Sequence, residues 1–161
     1  MESFNMRKEL LNLIINQFRL DINSEHGLSH WQRVERIGDY LAKHTKVDLK
    51  IINLFAYFHD SKRESEGRDP KHGLRAVSFI KELYSKNVLN ISQNQLSQLT
   101  FACKHHNNPS IKSDDVAIQT CWDADRLDLW RVGTIPSPFF LNTDIAKQEK
   151  TIEFSRHLSR K

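Results

Sequence analysis

The chain has 161 residues, enough for one domain with one real core and too few for two comfortable ones. Apolar residues make up 39% and charged residues 27%, and no window approaches about 18 consecutive apolar residues, so a membrane span is excluded. The formal charge of +4 favours an anionic ligand, yet the basic residues are scattered rather than clustered, which argues against nucleic acid as the partner.

The opening stretch MESFNMRKELLNLIINQF predicts an amphipathic helix over about 2–20, with Leu10, Leu11, Ile14 and Phe18 on one side. It has neither an unbroken apolar run nor a small-residue cleavage site, so it does not read as a signal peptide. A second helix is expected over about 24–45, with His30, Val34, Ile37 and Leu41 spaced by 4, 3 and 4. Asp48 is a good N-cap for a third helix through LKIINLFAYFHD. The segment SKRESEGRDP then breaks the pattern with Gly, Pro and charge, as a loop does.

A fourth helix carries His72, Ala76, Phe79 and Leu83 on one stripe. Ser92 with Gln95 makes a capping box, from which a fifth helix runs to about His106. A sixth covers AIQTCWDADRLDLWRV and stops at Gly133, and a weakly amphipathic C-terminal helix begins near Thr143. No stretch alternates with period two between turn residues. The expected architecture is an all-α, compact single-domain helical bundle over 1–161, its core at about 24–143 and the terminal helices, about 2–20 and 143–158, packed on it.

Two cysteines, Cys103 and Cys121, sit in apolar helical stretches and read as buried free thiols rather than a disulfide. With no export signal, the expected compartment is the reducing cytoplasm.

Eight histidines are many for this length, and their positions are more informative than their number. His30, His59, His72 and His106 each lie on an otherwise apolar helix face, and Asp125 shares one with Ile118, Cys121 and Leu129. A lone buried histidine is ordinary. Four of them, together with Asp60 and Asp125, cost too much desolvation unless something compensates. A divalent cation accepts imidazole and carboxylate lone pairs at once and does so. Adjacent helix residues point about 100° apart, so His59 and Asp60 reach one ion only at a helix end. The end of the third apolar run meets that condition.

The strings HGLSHWQRV, LFAYFHD, KHGLRA and CWDADRLDLWRVG, in this order, resemble the HD-domain superfamily of metal-dependent phosphohydrolases, in particular small stand-alone bacterial HD proteins of unassigned substrate. The likeness covers about residues 24–143. It implies a bundle of the HD-domain type and a first ligand at His30, the dyad at His59 and Asp60, and the last aspartate at Asp125, chosen over Asp123 because it directly precedes Arg126-Leu127. Asp123 is then left for support or capping.

Some members hold two metals, which would add His72 and His106; His105 is the alternative to His106, and His26 stays open as a site residue. His44 and His157 are expected at the surface. The metal is one or two divalent ions, with Mn, Fe, Mg, Co, Ni and Zn not distinguished.

The function so implied is metal-dependent hydrolysis of a small phosphate ester, a nucleotide by preference. Asp60 serves as ligand and catalytic group, and Lys62 and Arg63 as phosphate-neutralising cations, with a solvated loop as their alternative. Arg126 and Arg131 are expected to pair with Asp123 and Asp128 within their own helix. Trp31, Trp122 and Trp130 are expected in the core rather than stacked on a base. Pro136, Phe139 and Phe140 are assigned either to the pocket mouth or to packing. Two other classes remain in view: an HD-type di-iron oxygenase acting on a small organic substrate, and a non-catalytic nucleotide-binding module.

Overall fold

The computed structural model describes residues 7–160, and among these every regular element is helical. The helices are α1 (Lys8–Gln17), α2 (Leu28–Thr45), α3 (Leu49–Phe58), α4 (His72–Ser85), α5 (Gln93–His105), α6 (Val116–Arg126), α7 (Asp144–Lys147) and α8 (Glu149–Ser159). Two 3₁₀ turns, Leu129–Val132 and Pro138–Phe140, lie between α6 and α7. The part of the expected first helix over residues 2–6 lies outside the described residues.

The centre of the bundle is α3. Every residue from Ile51 to Phe58 is buried, so this helix has no solvated face and must be covered all round. It packs against α2, α5 and α6, while α4 lies along α5. The stripe Val34, Ile37 and Leu41 of α2 is fully buried, as its 4-3-4 spacing requires. Each such Leu or Ile side chain contributes about 1.5–3 kcal/mol by leaving water. Gly38 lets α2 meet α3 closely, since a Cβ there would lie 2.2 Å from Ile52 Cγ2. Trp31 and Trp122 are fully buried, their indole N–H groups donating to the His26 and Ala102 carbonyls.

The capping signals act as their chemistry predicts. Asp48 accepts from Lys50 N, Ser92 and Gln95 close a reciprocal capping box, and Asp115 caps α6. Three boundaries differ from expectation. α2 starts at Leu28 rather than near Ser24, because Ile22 O captures the Leu28 N–H and residues 24–27 form a turn. That turn leaves His26 outside the helix.

α6 stops at Arg126, where the chain tightens and Asp128 N donates to Asp125 O. Gly133, with φ of 78°, then caps the following 3₁₀ turn rather than the helix. The C-terminal segment is two helices, since Gln148 is extended and parts α7 from α8. No helix among the described residues is long and apolar enough to cross a membrane.

Candidate metal centre

Five histidines and three aspartates converge where α2, the end of α3, the start of α4, the end of α5 and the end of α6 meet. His30 is fully buried on α2. His59 caps α3, and Asp60 follows in the turn. His72 opens α4 and His106 caps α5. These two helix ends approach through Gly73, where a Cβ would stand 2.7 Å from Cys103 O and 2.8 Å from Lys104 O. Only a glycine lets His72 reach His106.

The histidines are aimed by their Nδ1 atoms. His59 Nδ1 donates to the Phe55 and Ala56 carbonyls, both at 3.0 Å. His106 Nδ1 donates to Cys103 O at 2.6 Å, and His72 Nδ1 to Asp69 O. His30 Nδ1 donates instead to the Asp128 carboxylate at 2.6 Å. A carbonyl or carboxylate oxygen can only accept, so each ring spends its N–H at Nδ1 and turns the Nε2 lone pair inward.

The four Nε2 atoms meet in two pairs, His30 with His59 at 3.0 Å and His72 with His106 at 2.8 Å. Asp60 lies between the pairs. Its Oδ2 faces His30 and His59 at 3.4 and 3.6 Å, and its Oδ1 faces His72 and His106 at 3.2 and 3.3 Å. Asp125 Oδ1 closes the first pair, 3.2 Å from His30 Nε2 and 3.4 Å from His59 Nε2. The groups His30–His59–Asp60 and Asp60–His72–His106 are therefore each compact enough to hold one metal ion.

The donor set fits such ions on its own terms. Two lone pairs facing each other at 3.0 Å repel unless a cation stands between them. Asp125 Oδ1 is buried with no hydrogen bond to satisfy it. The titration tendencies of the metal-free chain agree. Burial and the Arg131 charge push His30 down, but Asp125, Asp128 and Asp60 outweigh them and raise it from 6.5 to about 9. Burial raises Asp60 and Asp125, yet the adjacent histidines, His59 foremost, hold both well below the usual carboxylate range. The site demands positive charge.

His26 joins the cluster at one remove, its Nδ1 3.3 Å from Asp60 Oδ2 and its Nε2 3.2 Å from Glu66 O. His105 does not, stacking edge-on with Phe101 instead. His44 and His157 are exposed. Asp123 accepts four hydrogen bonds from Asn142 and Thr143 and pins the segment before α7. Cys103 and Cys121 are buried free thiols, and burial pushes both well up, so neither offers a thiolate.

Three expectations for the cations need correction or division. Lys62 does not face the cluster: its ammonium sits 4.5 Å over the Phe79 ring, in a separate depression with Arg19 and Glu82. The turn after Asp60 rotates it to the opposite wall. Arg63 does reach the site, with Nε 3.5 Å from Asp60 Oδ1. Arg126 and Arg131 are not paired with Asp123 and Asp128 side chains, because Asp123 is spent on Asn142 and Thr143 and Asp128 on His30 and Arg33.

Asp128 is the residue that sequence reasoning missed. Its signal was available: a histidine ligand needs a partner for its second nitrogen, and Asp128 lies one tight turn beyond Asp125.

A cavity of about 370 Å³ opens directly over the cluster. Asp60, His72, His106 and Asp125 form its floor, Arg63, Arg126 and Arg131 its charged wall, and Leu129, Ile135, Phe140 and Leu141 its apolar wall. Phe140 thus belongs to the pocket, while Phe139 is exposed and does not. None of the three tryptophans lines it; Trp130 donates to Ser155 Oγ.

Four helices, α2 to α5, bring four histidines in two pairs about a shared aspartate, within an all-α fold of the HD-domain type. It is similar to the crystal structure of a predicted HD superfamily hydrolase from an uncultured Thermotogales bacterium, with 25% sequence identity and a TM-score of 0.69 over 93% of this chain and 84% of the other. No family model and no curated protein matches the sequence. Fold, neighbour and His/Asp cluster together support a metal-dependent hydrolase of the HD type.

Proposed function

We propose that the protein is a metal-dependent phosphohydrolase acting on a small phosphate ester, with a nucleotide as the preferred substrate class. The observation that carries the reading is Asp60, whose two oxygens each face a separate pair of histidine Nε2 atoms at the floor of a cavity with an arginine wall.

His30, His59, Asp60 and Asp125 would hold one divalent ion, and His72 and His106 with Asp60 a second. Such ions supply Lewis acidity toward a phosphoryl oxygen and a water acidified toward neutral pH. The chain's own residues do the rest. Asp60, kept ionised by its histidines, joins the two halves of the site, and His26 holds its Oδ2 in place. Arg63 stands beside Asp60, where a phosphate oxygen would meet it. The apolar wall offers a surface for the organic part of the substrate and limits water access.

The decisive experiment is a screen of metal-reconstituted protein against nucleoside mono-, di- and triphosphates, cyclic nucleotides and simple phosphodiesters, with phosphate or ester products measured. Turnover that disappears together with bound metal in His59→Ala supports the reading. Turnover that persists in that variant removes the proposed centre.

A second reading, a di-iron oxygenase, draws on the same bridged pairs of histidines, which suit two irons as well. Two bound irons with dioxygen consumption and no phosphate release would favour it. A non-catalytic nucleotide-binding module explains a donor set of this completeness less well, and tight nucleotide binding without turnover in any divalent metal would favour it.

A further inference from the structure

Two arginines of the cavity, Arg126 and Arg131, are held differently from the third, Arg63, which lies beside Asp60. Arg33 pairs with Asp128, Arg75 with Asp69, and Arg19 with Glu64. Arg126 and Arg131, among the described residues, have no carboxylate oxygen within ion-pair distance of their guanidinium nitrogens. They are tied to neutral carbonyls instead. Arg126 Nη1 donates to Phe140 O, while Arg131 Nε and Nη1 donate to Glu25 O and Asp128 O.

Arg126 is only 7% exposed; its guanidinium lies 5.6 Å over the Trp122 ring, and its Nη2 is buried with no hydrogen-bond partner. Burial pushes the Arg126 guanidinium down despite the nearby Asp125 and Asp123 charges, and a buried guanidinium with no carboxylate in contact is costly, so its retention beside the cavity calls for a contacting anion. The nearby carboxylates are committed elsewhere: Asp123 to Asn142 and Thr143, Asp128 to His30 and Arg33, and Asp125 to His30 and His59.

We infer that Arg126 and Arg131 form a preset anion clamp for a phosphate of the substrate, held open by the backbone carbonyls of Phe140, Glu25 and Asp128. This rests on the phosphohydrolase reading and gives it a location: the phosphate is gripped on the side of the cavity formed by the segment after α6. The carbonyl anchors fix the planar forks in advance, so little side-chain entropy remains to be lost on binding. Lysine would not serve equally, since a point charge lacks the fork that meets two phosphate oxygens. The apolar residues Ile135, Phe140 and Leu141 adjoin the clamp, which would direct the rest of the ester along that wall.

The test is binding of inorganic phosphate to the metal-reconstituted protein by calorimetry, comparing wild type with Arg126→Met, Arg131→Met and Arg126→Lys. Each methionine variant should weaken phosphate by about tenfold or more, while bound metal stays at the wild-type level. Arg126→Lys should recover part of the loss, and added guanidinium should restore phosphate affinity to Arg126→Met but not to wild type. Phosphate affinity unchanged in the folded, metal-replete methionine variants, or no phosphate binding by wild type, overturns the clamp. Should Arg126→Met fail to fold through loss of its Phe140 anchor, Arg131→Met and Arg126→Lys decide the matter. Metal-dependent turnover of phosphate esters with arginine-independent phosphate binding would defeat only the clamp. Phosphate binding that needs both arginines, without turnover of any ester, would defeat only the hydrolase reading.

Discussion

His30 is held at both edges of its ring by two aspartates three residues apart: Asp128 accepts from Nδ1 at 2.6 Å, and Asp125 stands 3.2 Å from Nε2. The tight turn at the end of α6 makes this possible, because i and i+3 side chains nearly eclipse where the helix narrows to 3₁₀ geometry. Asp128 is fully buried and also accepts from Arg33 Nε at 2.8 Å. It orients the ring, and in a metal-bound site it would raise the ring's basicity as a ligand.

Asp128→Asn should therefore lower metal affinity by about 10–100-fold while leaving the helices intact. Metal titration with a competing chelator measures the first, and far-UV circular dichroism the second. Wild-type affinity in this variant would show that His30 needs no such partner.

The metal should bind more tightly as pH rises. In the metal-free chain His30 is raised from 6.5 to about 9, chiefly because its three aspartates outweigh burial and Arg131. A cation must displace that proton, so apparent affinity should climb by about tenfold per pH unit toward pH 9 and then level. The stability of the metal-free chain should run the other way. A folded-state value above the unfolded one stabilises fully below pH 6.5, and that contribution fades as pH climbs through about 9. Thermal melts of chelator-treated protein between pH 6 and 9.5 check the sign.

The two halves of the centre should be separable. Gly73→Ala puts a methyl against the Cys103 and Lys104 carbonyls, and neither backbone can yield cheaply. The expected cost is about 1–3 kcal/mol, with the strain falling on the His72–His106 contact rather than on His30 and His59. Metal counting should give two ions per chain in wild type and one in Gly73→Ala. Two tightly held ions in the variant would mean that α4 can shift without opening the site.

Asp39 offers a control away from the centre. Burial and the nearby Glu35 raise it from 3.8 to about 6, and its Oδ1 is buried without a hydrogen bond. The ionised form is the disfavoured one in the fold, so wild type should lose stability as pH rises through about 6. Asp39→Asn should accordingly melt higher than wild type at pH 8 by a few degrees, with the gap narrowing below pH 6 and closing only toward pH 3.8. Equal melting temperatures at pH 8 would place the carboxylate in water.

Much of this site was legible from the chain because burial is periodic. A histidine on the stripe of Val34, Ile37 and Leu41 has to point where those residues point, and it does. The same reasoning placed His59, His72, His106 and Asp125 on inward faces, and capping chemistry located the starts of α3, α5 and α6. Periodicity fails where the helix ends. Lys62 and Arg63 are neighbours in a turn, where no face can be read from spacing, and only one of them meets Asp60. The run through Val132 looked like a continuous helix because its apolar spacing does not register a change from α to 3₁₀.

The pattern of apolar and ionisable residues by itself determined an all-helical chain with a shared His/Asp focus, since hydrophobic burial and helix geometry are local in sequence. Who pairs with whom was decided in three dimensions. Asp123 and Asp128 were each within helical reach of an arginine, but Thr143 and His30, distant in the chain, claimed them first. A buried carboxylate goes to the partner that satisfies it most completely, and that partner is chosen by packing. The same choice left Arg126 and Arg131 hydrogen-bonded only to carbonyls, facing a cavity whose floor is the candidate metal centre.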